Sequence, residues 1–389
     1  MKRKDEPTSS IVIGNEAGDA DTVISAIALS YIESIFQDED KTPIVSIPKE
    51  DLLVRRPDIK LLLKLAGLSR LKSTLLFIND DDKFMKHLIH ANVTLVDHNR
   101  LESKFRGRKD WKVTEIVDHH HDTGYYLDTC NGTSRNIAFS DGKALVASAC
   151  TLVAERLHEV CSSPYPTSVS LLLLGVILLD SVNLSEDVGK VTPRDIGAVD
   201  DLLKNTDWTE LPPSTQSLLS MSKATPIPNS SVFFQVLQTS KYDPAFWKSL
   251  SIEDALKYDY KAFVYKDGIF GISTVLTSAD VLYQRTHFAE SIRYFIKTVE
   301  IQFLGIMFAY DDKESRHLRR QFGICAGEAA RINGIADYLL TKTDLDLVEN
   351  KNGDFRTQMG LSCRFFDQGN IKDSRKQIGP FIFKAVALQ

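Results

Sequence analysis

The sequence predicts an α/β protein of two domains, in which the N-terminal domain holds a mostly parallel sheet flanked by helices. Short runs of β-branched and apolar residues alternate there with longer segments of helical periodicity, which is the pattern of repeated strand and helix units. Three of these strands are followed by aspartate side chains, and open α/β sheets bind their ligands at this end of the strands. A smaller α/β domain is predicted to follow.

The first predicted strand covers residues 10–13 and leads through a polar turn into a helix over residues 23–36. The turn contains Asp19 and Asp21. Two carboxylates this close in sequence are costly unless a cation lies between them, so we interpret them as metal ligands. Helix capping is the alternative, although a single aspartate would satisfy it.

Polar turns also follow the next two predicted strands, at residues 42–47 and 75–78. Arg55 and Arg56 lie after the first of these strands, either as a phosphate contact or as a solvated helix end. The acidic turn at residues 80–82 follows the second strand. We interpret it as an acidic loop at a helix start, which is commoner than a cation site.

The strongest pattern belongs to two further strands, predicted over residues 93–96 and 113–117. The first is followed by Asp97, and the second by an aspartate and three consecutive histidines at residues 118–121. Because the carboxyl ends of parallel strands meet at one edge of a sheet, we expect these side chains to lie together. They predict a metal site, with a solvated histidine loop as the alternative.

Two helices further along the chain carry other candidates. The first is predicted over residues 144–158 and begins among small residues that include Ser148. Small residues there permit either the close approach of an anion to the helix N-terminus or simply tight packing. The second is a buried helix over residues 169–179 that ends at Asp180. A carboxylate after so apolar a run is seldom left unpaired, so Asp180 is a further candidate ligand.

A change of composition between residues 206 and 231 predicts a linker region, because prolines and small polar residues occur there without periodicity. It would separate a metal-binding domain of residues 1–205 from a substrate-binding domain of residues 232–389. The second domain is predicted to contain strands over residues 262–265, 268–276, 300–310 and 319–325 and helices over residues 278–296 and 328–340.

Composition excludes several classes of protein. The formal net charge of −5 argues against a large surface for nucleic acid or acidic membrane. The five cysteines form no CxxC pair, which fits a reducing compartment. The longest apolar run, at residues 171–179, is too short to span a bilayer, and no secretory signal is apparent. A cytoplasmic location is therefore expected.

The candidate residues form an oxygen-rich ligand set that also contains imidazole. Mixed carboxylate and imidazole ligands suit Mn²⁺, Co²⁺ or Mg²⁺ better than structural zinc, which favours thiolate. Several aspartates for few imidazoles indicate two ions that share a carboxylate. Two ions of this kind are typical of phosphatases and nucleases, where they stabilise the attacking and leaving oxygens.

Four motifs of the chain, taken in order, resemble those of the DHH phosphoesterase superfamily. They are Asn15-x-x-x-Asp19-x-Asp21, Val96-Asp97-His98-Asn99, Val117-Asp118-His119-His120 and Leu179-Asp180. The C-terminal Ser374-Arg375-Lys376-Gln377 resembles the basic signature of its exopolyphosphatase, prune and family II pyrophosphatase branch. Asn15 stands where family II pyrophosphatases have a histidine ligand, and asparagine there is similar to exopolyphosphatases and prune. Residues 47–52 and the arginine pair at 55 and 56 also resemble cytosolic eukaryotic exopolyphosphatases.

The resemblance implies an active site in a cleft between the two domains. It implies metal ligation by Asn15, Asp19, Asp21, Asp97, His119 and Asp180, with Asp97 bridging two ions of Mg²⁺ or Mn²⁺. Asp97, His119 and His120 would be catalytic, and Asp118 would orient an adjacent group. The substrate would be bound by His120, Ser148, Lys241, Arg375, Lys376 and Arg55.

The implied activity is that of an exopolyphosphatase, which hydrolyses the terminal phosphoanhydride of inorganic polyphosphate with water activated by two metal ions. Inorganic pyrophosphatase is the first alternative, and Asn15 and the chain length weigh against it. A prune-like regulatory protein with weak short-chain polyphosphatase or phosphodiesterase activity, and with a protein partner, is the second. A nuclease lacks support because the chain has no GGGH motif. Polyphosphate or another short phosphate chain is thus the expected partner, without nucleic acid or membrane.

Overall fold

The computed structural model describes residues 8–68, 75–78, 88–102, 105, 108–312, 318–350 and 360–387. The acidic turn at residues 80–82 lies outside these ranges. The chain divides into two compact units, Met1–Ser240 and Lys241–Gln389. Within the described residues, no helix has both the length and the apolar character needed to cross a membrane.

The N-terminal unit is built on a six-stranded sheet in which every recorded strand pair is parallel. Its strands, in chain order, are β1 (Ser9–Ile13), β2 (Lys41–Val45), β3 (Leu76–Phe77), β4 (Ala91–Val96), β5 (Trp111–Asp118) and β6 (Arg135–Ile137). They lie in the spatial order β3-β2-β1-β4-β5-β6. The predicted α/β class with a parallel N-terminal sheet is confirmed.

Helices of the N-terminal unit pack on this sheet or on one another. The described ones are α1 (Ala20–Phe36), α2 (Lys49–Arg55), α3 (Pro57–Leu65), α4 (Ala149–Val160), α5 (Thr167–Asp180), α6 (Pro193–Asn205), α7 (Pro213–Leu218) and α8 (Ser230–Lys241). Residues 169–178 of α5 are all buried, which explains why its sequence is apolar on every side. Helix α4 begins later than predicted, because a short hairpin of β7 (Phe139–Ser140) and β8 (Lys143–Ala144) precedes it.

The region predicted as a linker packs into the core of the N-terminal unit over much of its length. Trp208 is 1% exposed, and its indole Nε1 donates to the carbonyl of Leu203 at 3.0 Å. Leu211 and Leu219 are buried in the same hydrophobic cluster. The compact units divide after Ser240, beyond the predicted linker region, because apolar anchors spaced among prolines and polar residues leave no periodicity in the sequence.

Substitution of Trp208 by alanine is therefore expected to lower the free energy of unfolding of the N-terminal unit by about 3–5 kcal/mol, since it empties a large buried site. Leu218 lies in the same region and is 42% exposed, so Leu218→Ala serves as the control with a small effect. Urea denaturation of the full chain measures both. A loss below about 1 kcal/mol for Trp208→Ala would restore the linker interpretation.

The C-terminal unit is a mixed six-stranded sheet with helices. Its strands are β9 (Tyr260–Tyr265), β10 (Gly268–Val275), β11 (Phe303–Asp311), β12 (Leu318–Ala326), β13 (Leu347–Glu349) and β14 (Ser362–Gln368), in the spatial order β13-β14-β12-β11-β10-β9. The helices are α9 (Pro244–Ser249), α10 (Ile252–Lys257), α11 (Ala279–Tyr283), α12 (Phe288–Thr298), α13 (Ala329–Leu340) and α14 (Arg375–Ala387). The predicted hairpin is β9 and β10. The helix predicted over residues 278–296 is instead divided into α11 and α12.

Candidate active site

The candidate site is assembled at the carboxyl ends of three neighbouring parallel strands. Strand β1 pairs with β4, and β4 pairs with β5. The loop after β1 carries Asn15, the residue after β4 is Asp97, and β5 ends at Asp118 with His119 and His120 directly after it. The parallel register therefore brings together motifs that are up to about a hundred residues apart.

Asp97 lies at the centre of the site and is 3% exposed. It adopts φ +60°, a left-handed conformation that aspartate tolerates better than most residues. One carboxylate oxygen, Oδ2, accepts hydrogen bonds from Asn15 Nδ2 at 2.8 Å and Thr22 Oγ1 at 2.5 Å. Burial raises the pKa of Asp97 most, and the negative charge of Asp21 raises it further. The site thus concentrates negative charge that a bound cation would neutralise.

His119 is oriented by the backbone. Its Nδ1 lies 3.1 Å from the Val146 carbonyl, so this nitrogen donates and Nε2 is directed at the carboxylates. Nε2 is 3.3 Å from Asp97 Oδ1 and 3.6 Å from Asp21 Oδ2. Burial opposes the charged form, but the hydrogen bond to Asp97 and the charge of Asp21 outweigh it, so the pKa of His119 is raised.

His120 is held by a hydrogen bond to Asp118, which is fully buried. Asp118 Oδ1 accepts from His120 Nδ1 at 2.8 Å and from the His119 amide at 2.8 Å, and Oδ2 accepts from Asn99 Nδ2 at 2.6 Å. Burial opposes ionisation, yet these hydrogen bonds and the imidazole charges lower the pKa of Asp118. His120 is consequently oriented while its side chain stays 45% exposed. The His121 ring instead contacts the Phe139 ring edge to face, with 5.5 Å between the ring centroids.

Asp21 occupies the N-terminus of α4. Its Oδ1 accepts from Ser148 Oγ at 2.5 Å and from the Cys150 amide at 2.9 Å, while Oδ2 accepts from the Ala149 amide at 2.8 Å. The small residues here permitted either the approach of an anion or tight packing, and the group that occupies this helix N-terminus is the carboxylate of Asp21. Ser148 is 0% exposed and donates its hydroxyl to that carboxylate.

Asp19 and Asp180 lie at helix ends on the same unit. Asp19 is the N-cap of α1 and accepts from the Thr22 amide at 3.0 Å, so it performs the capping role that was the alternative interpretation. Asp180 is the last residue of α5. Burial raises the pKa of the Cys150 thiol, and the charges of Asp21 and Asp180 raise it further.

The geometry fits a divalent cation. Among the described residues, one ligand atom each from Asp97, His119 and His120 lies within 4.8 Å of the others. Asp21 adds a carboxylate beside His119. Carboxylate oxygen with imidazole nitrogen is a donor set suited to Mn²⁺ or Mg²⁺.

Two family models match the chain, one described as the DHH family, N-terminal domain, over residues 9–176 and the other as the DHHA2 domain over residues 245–385. The chain contains a DHH domain followed by a DHHA2 domain. The match boundaries agree with two units, the first of which contains all of the cluster described above.

Curated relatives align along nearly the whole DHH–DHHA2 chain. A Schizosaccharomyces pombe protein, named as a candidate exopolyphosphatase, is 27% identical and aligns over 98% of this chain and 91% of its own. The mouse protein named exopolyphosphatase PRUNE1 is 26% identical and aligns over 97% of this chain and 75% of its own. A Lactiplantibacillus plantarum protein named a probable manganese-dependent inorganic pyrophosphatase is 22% identical over 51% of this chain and 55% of its own.

A solved structure supports the fold of the DHH–DHHA2 chain. It is a Methanococcus jannaschii protein described as a candidate family II inorganic pyrophosphatase. The two structures align with a TM-score of 0.55 at 17% identity and cover 97% of this chain and 99% of the other. At this identity the likeness concerns the fold alone.

The other predicted site residues lie on α2 of the DHH unit or on the C-terminal unit. Arg55 ends α2 and forms an ion pair with Asp51. Lys241 ends α8, and its carbonyl accepts from Trp247 Nε1 at 2.9 Å. Arg375 begins α14. The side chain of Lys376 lies outside the described part of the chain.

Arg375 is tied to a carboxylate within its own unit. Its Nη1 donates to the Asp259 carbonyl at 3.1 Å and lies 2.9 Å from Asp259 Oδ1. Its side chain is 23% exposed, so the guanidinium is oriented but still reachable by solvent.

Three polar groups of the DHH site did not figure among the predicted site residues. Thr22 donates to Asp97, Asn99 donates to Asp118, and Asp195 accepts from the Ala147 amide at 3.0 Å and from Thr151 Oγ1 at 2.6 Å. Asn99 belongs to the motif Val96-Asp97-His98-Asn99. Asp195 forms a capping box with Thr192, and the spacing of these two residues can be recognised in the sequence. Their partners are distant in sequence, so no local pattern reveals the contacts.

Metal binding to the DHH cluster is expected to raise the melting temperature of the metal-stripped chain. An ion at a hundred times its Kd stabilises a folded protein by about 2.7 kcal/mol. Differential scanning fluorimetry with Mn²⁺ or Mg²⁺ measures the shift, and Asp97→Asn should reduce it strongly. An equal shift in the variant would mean that the ions bind elsewhere.

Proposed function

We propose that this DHH–DHHA2 chain is a metal-dependent exopolyphosphatase that hydrolyses the terminal phosphoanhydride of inorganic polyphosphate. The observation that carries the proposal is the cluster of Asp97, His119 and His120, with Asp21 beside it, at the carboxyl ends of the parallel strands. The names of the relatives that align along nearly the whole chain support the phosphate-chain substrate.

The proposed metal ligands are the residues that the motifs bring to this end of the sheet. They are Asp19, Asp21, Asp97, His119 and Asp180, with Asn15 beside them. Two divalent cations, Mg²⁺ or Mn²⁺, would supply the charge that makes water nucleophilic near neutral pH and stabilises the phosphate leaving group. Asn15 contributes by holding Asp97, since its amide nitrogen donates to the Asp97 carboxylate at 2.8 Å and to the Asp97 carbonyl at 3.0 Å.

His120 is proposed to contact the phosphate under attack. Because Nδ1 is bonded to the buried Asp118, the proton-bearing side of the ring is fixed and Nε2 is left for a phosphate oxygen. The short chain of hydrogen bonds from Asn99 through Asp118 holds the ring in this orientation. A proton on Nε2 would then be donated to an anionic oxygen of the phosphate.

Basic groups elsewhere are proposed to neutralise the parts of the substrate that the metal ions do not reach. Arg375, with Lys376 and Lys241, supplies them from the C-terminal half of the chain. Arg375 is suited to this because Asp259 already orients its planar guanidinium, which binds phosphate by two parallel hydrogen bonds. Arg55 is proposed as a further contact on the DHH unit. The sequence predicts that Ser148 binds substrate, but it is 0% exposed and donates to Asp21, so its role is to hold that carboxylate.

Product analysis tests this proposal against its nearest alternative. Chromatography of a polyphosphate of defined length, incubated with the chain and Mg²⁺ or Mn²⁺, should show loss of single phosphate units from the end. Release from pyrophosphate alone would make the chain an inorganic pyrophosphatase. No release from any phosphate chain would favour a prune-like interaction protein and overturn the proposal.

A further inference from the structure

A basic side chain directly after the Val96-Asp97-His98-Asn99 motif has no part in the cluster described above. Arg100 follows Asn99 and lies three residues beyond Asp97, so its Cα is at most about 11 Å from that of Asp97. Its guanidinium lies 4.2 Å from the centroid of the Tyr125 ring. Among the described residues, no carboxylate lies within ion-pair distance of it. Arg100 and Tyr125 are both exposed, the latter by 42%.

The segment that carries Tyr125 is fastened at several points. The Tyr125 carbonyl accepts from Arg135 Nη1 at 2.8 Å. On one side of Tyr125, the Thr123 amide donates to Asn99 Oδ1 at 3.0 Å. On the other side, the Tyr126 hydroxyl accepts from the Leu101 amide at 3.1 Å. The segment is therefore held at three points, and the Tyr125 ring that it carries forms a platform for Arg100.

Asn99 links the segment that carries Tyr125 to the histidine run. Asn99 accepts from Thr123 and also donates to Asp118 at 2.6 Å and to the His121 carbonyl at 2.9 Å. The position of Arg100 is thus fixed relative to His120, which Asp118 holds. A guanidinium stacked flat on an aromatic ring keeps the N–H donors of its edge available for an anion.

We propose that Arg100, oriented by Tyr125, is an anion subsite for the phosphate groups beyond the one being hydrolysed, and that it gives the site its preference for chains over pyrophosphate. The substrate class rests on the proposed function. Both residues of the subsite belong to the DHH unit. Because Arg100 is exposed, its contribution falls as ionic strength rises.

The test compares Arg100→Gln with Arg108→Gln. Arg108 is a matched control, because its guanidinium also stacks on a ring, at 4.7 Å from the Trp111 centroid. Trp111 begins the eight-residue strand β5, about 23 Å from the end that carries the site. Arg100→Gln should raise the KM for tripolyphosphate about tenfold and leave kcat within about twofold, as for loss of one charge-assisted contact.

The pattern across ligands distinguishes a subsite from a general charge effect. For Arg100→Gln, the KM or inhibition constant of pyrophosphate should change by less than about twofold, and Arg108→Gln should leave every constant unchanged. An unchanged KM for tripolyphosphate in Arg100→Gln, or an equal rise in both variants, overturns the proposal.

Tyr125 is a positioning residue, and two substitutions separate its ring from its hydroxyl. Tyr125→Phe keeps the ring and should retain the wild-type KM, whereas Tyr125→Leu should raise the KM about threefold without lowering kcat. A KM for Tyr125→Leu equal to that of the wild type would show that the Tyr125 ring does not position Arg100.

Failure of the proposed function is recognised separately. If the wild-type chain releases no phosphate from any substrate, equilibrium dialysis of tripolyphosphate at low ionic strength replaces the kinetic constants. Weaker binding by Arg100→Gln than by Arg108→Gln upholds the anion subsite even then. Equal binding by the two variants overturns it.

Discussion

Asp97→Asn is expected to reduce phosphate release by at least about 10³-fold, because it removes a carboxylate on which metal binding and charge stabilisation both depend. Asparagine has nearly the same shape, and its side-chain oxygen can still accept from Asn15 or Thr22. The fold should therefore persist. Activity above about a tenth of the wild-type value would contradict the proposal that Asp97 is a metal ligand.

The same substitution should not destabilise the metal-free protein. Burial and the charge of Asp21 raise the pKa of Asp97, so ionisation of Asp97 costs folding free energy above its unfolded pKa. Removing that ionisation offsets the loss of the hydrogen bond with His119, so the melting temperature without metal should stay close to that of the wild type at pH 8. Asp122→Asn, at an exposed ion pair with Arg135, is the matched control and should keep nearly full activity.

His119→Ala should lower activity by about 10²-fold or more at a fixed metal concentration, whereas His121→Ala should remain within about twofold of the wild type. The two histidines belong to one run of three, but only His119 directs its Nε2 at Asp97 and Asp21. His121 contacts Phe139 instead.

Steady-state phosphate release at several metal concentrations measures this difference. Partial recovery of His119→Ala at high metal concentration is expected, because the substitution weakens metal affinity. Similar losses in His119→Ala and His121→Ala would mean that the run acts through its conformation and not through individual ligands.

The fold was predictable because its elements carry local signals. Strands β1, β4 and β5 are short apolar runs that end in polar turns, and helices α1, α2 and α3 connect the strands from β1 to β3. The linker prediction differs from the structure, since the burial of Trp208 and Leu219 depends on distant partners. The family assignment agrees with the matched DHH and DHHA2 domains.

The candidate site was predictable in part. Strand ends alone indicated that Asp97, His119 and His120 would meet. The contact of Asp21 with Ser148 joins residues 127 positions apart, and local sequence contains no record of it. The number of metal ions, the roles of Arg375 and Lys376, and the cytoplasmic location stay predictions.

The most direct measurement is phosphate release by the metal-stripped chain from long polyphosphate and tripolyphosphate, with Mg²⁺ or Mn²⁺ added back, for the wild type and Asp97→Asn. The account predicts release only with added metal, its loss on chelation, and almost none from the variant. Release that survives chelation, or that is equal in the variant, would contradict a metal-dependent hydrolytic centre built on Asp97.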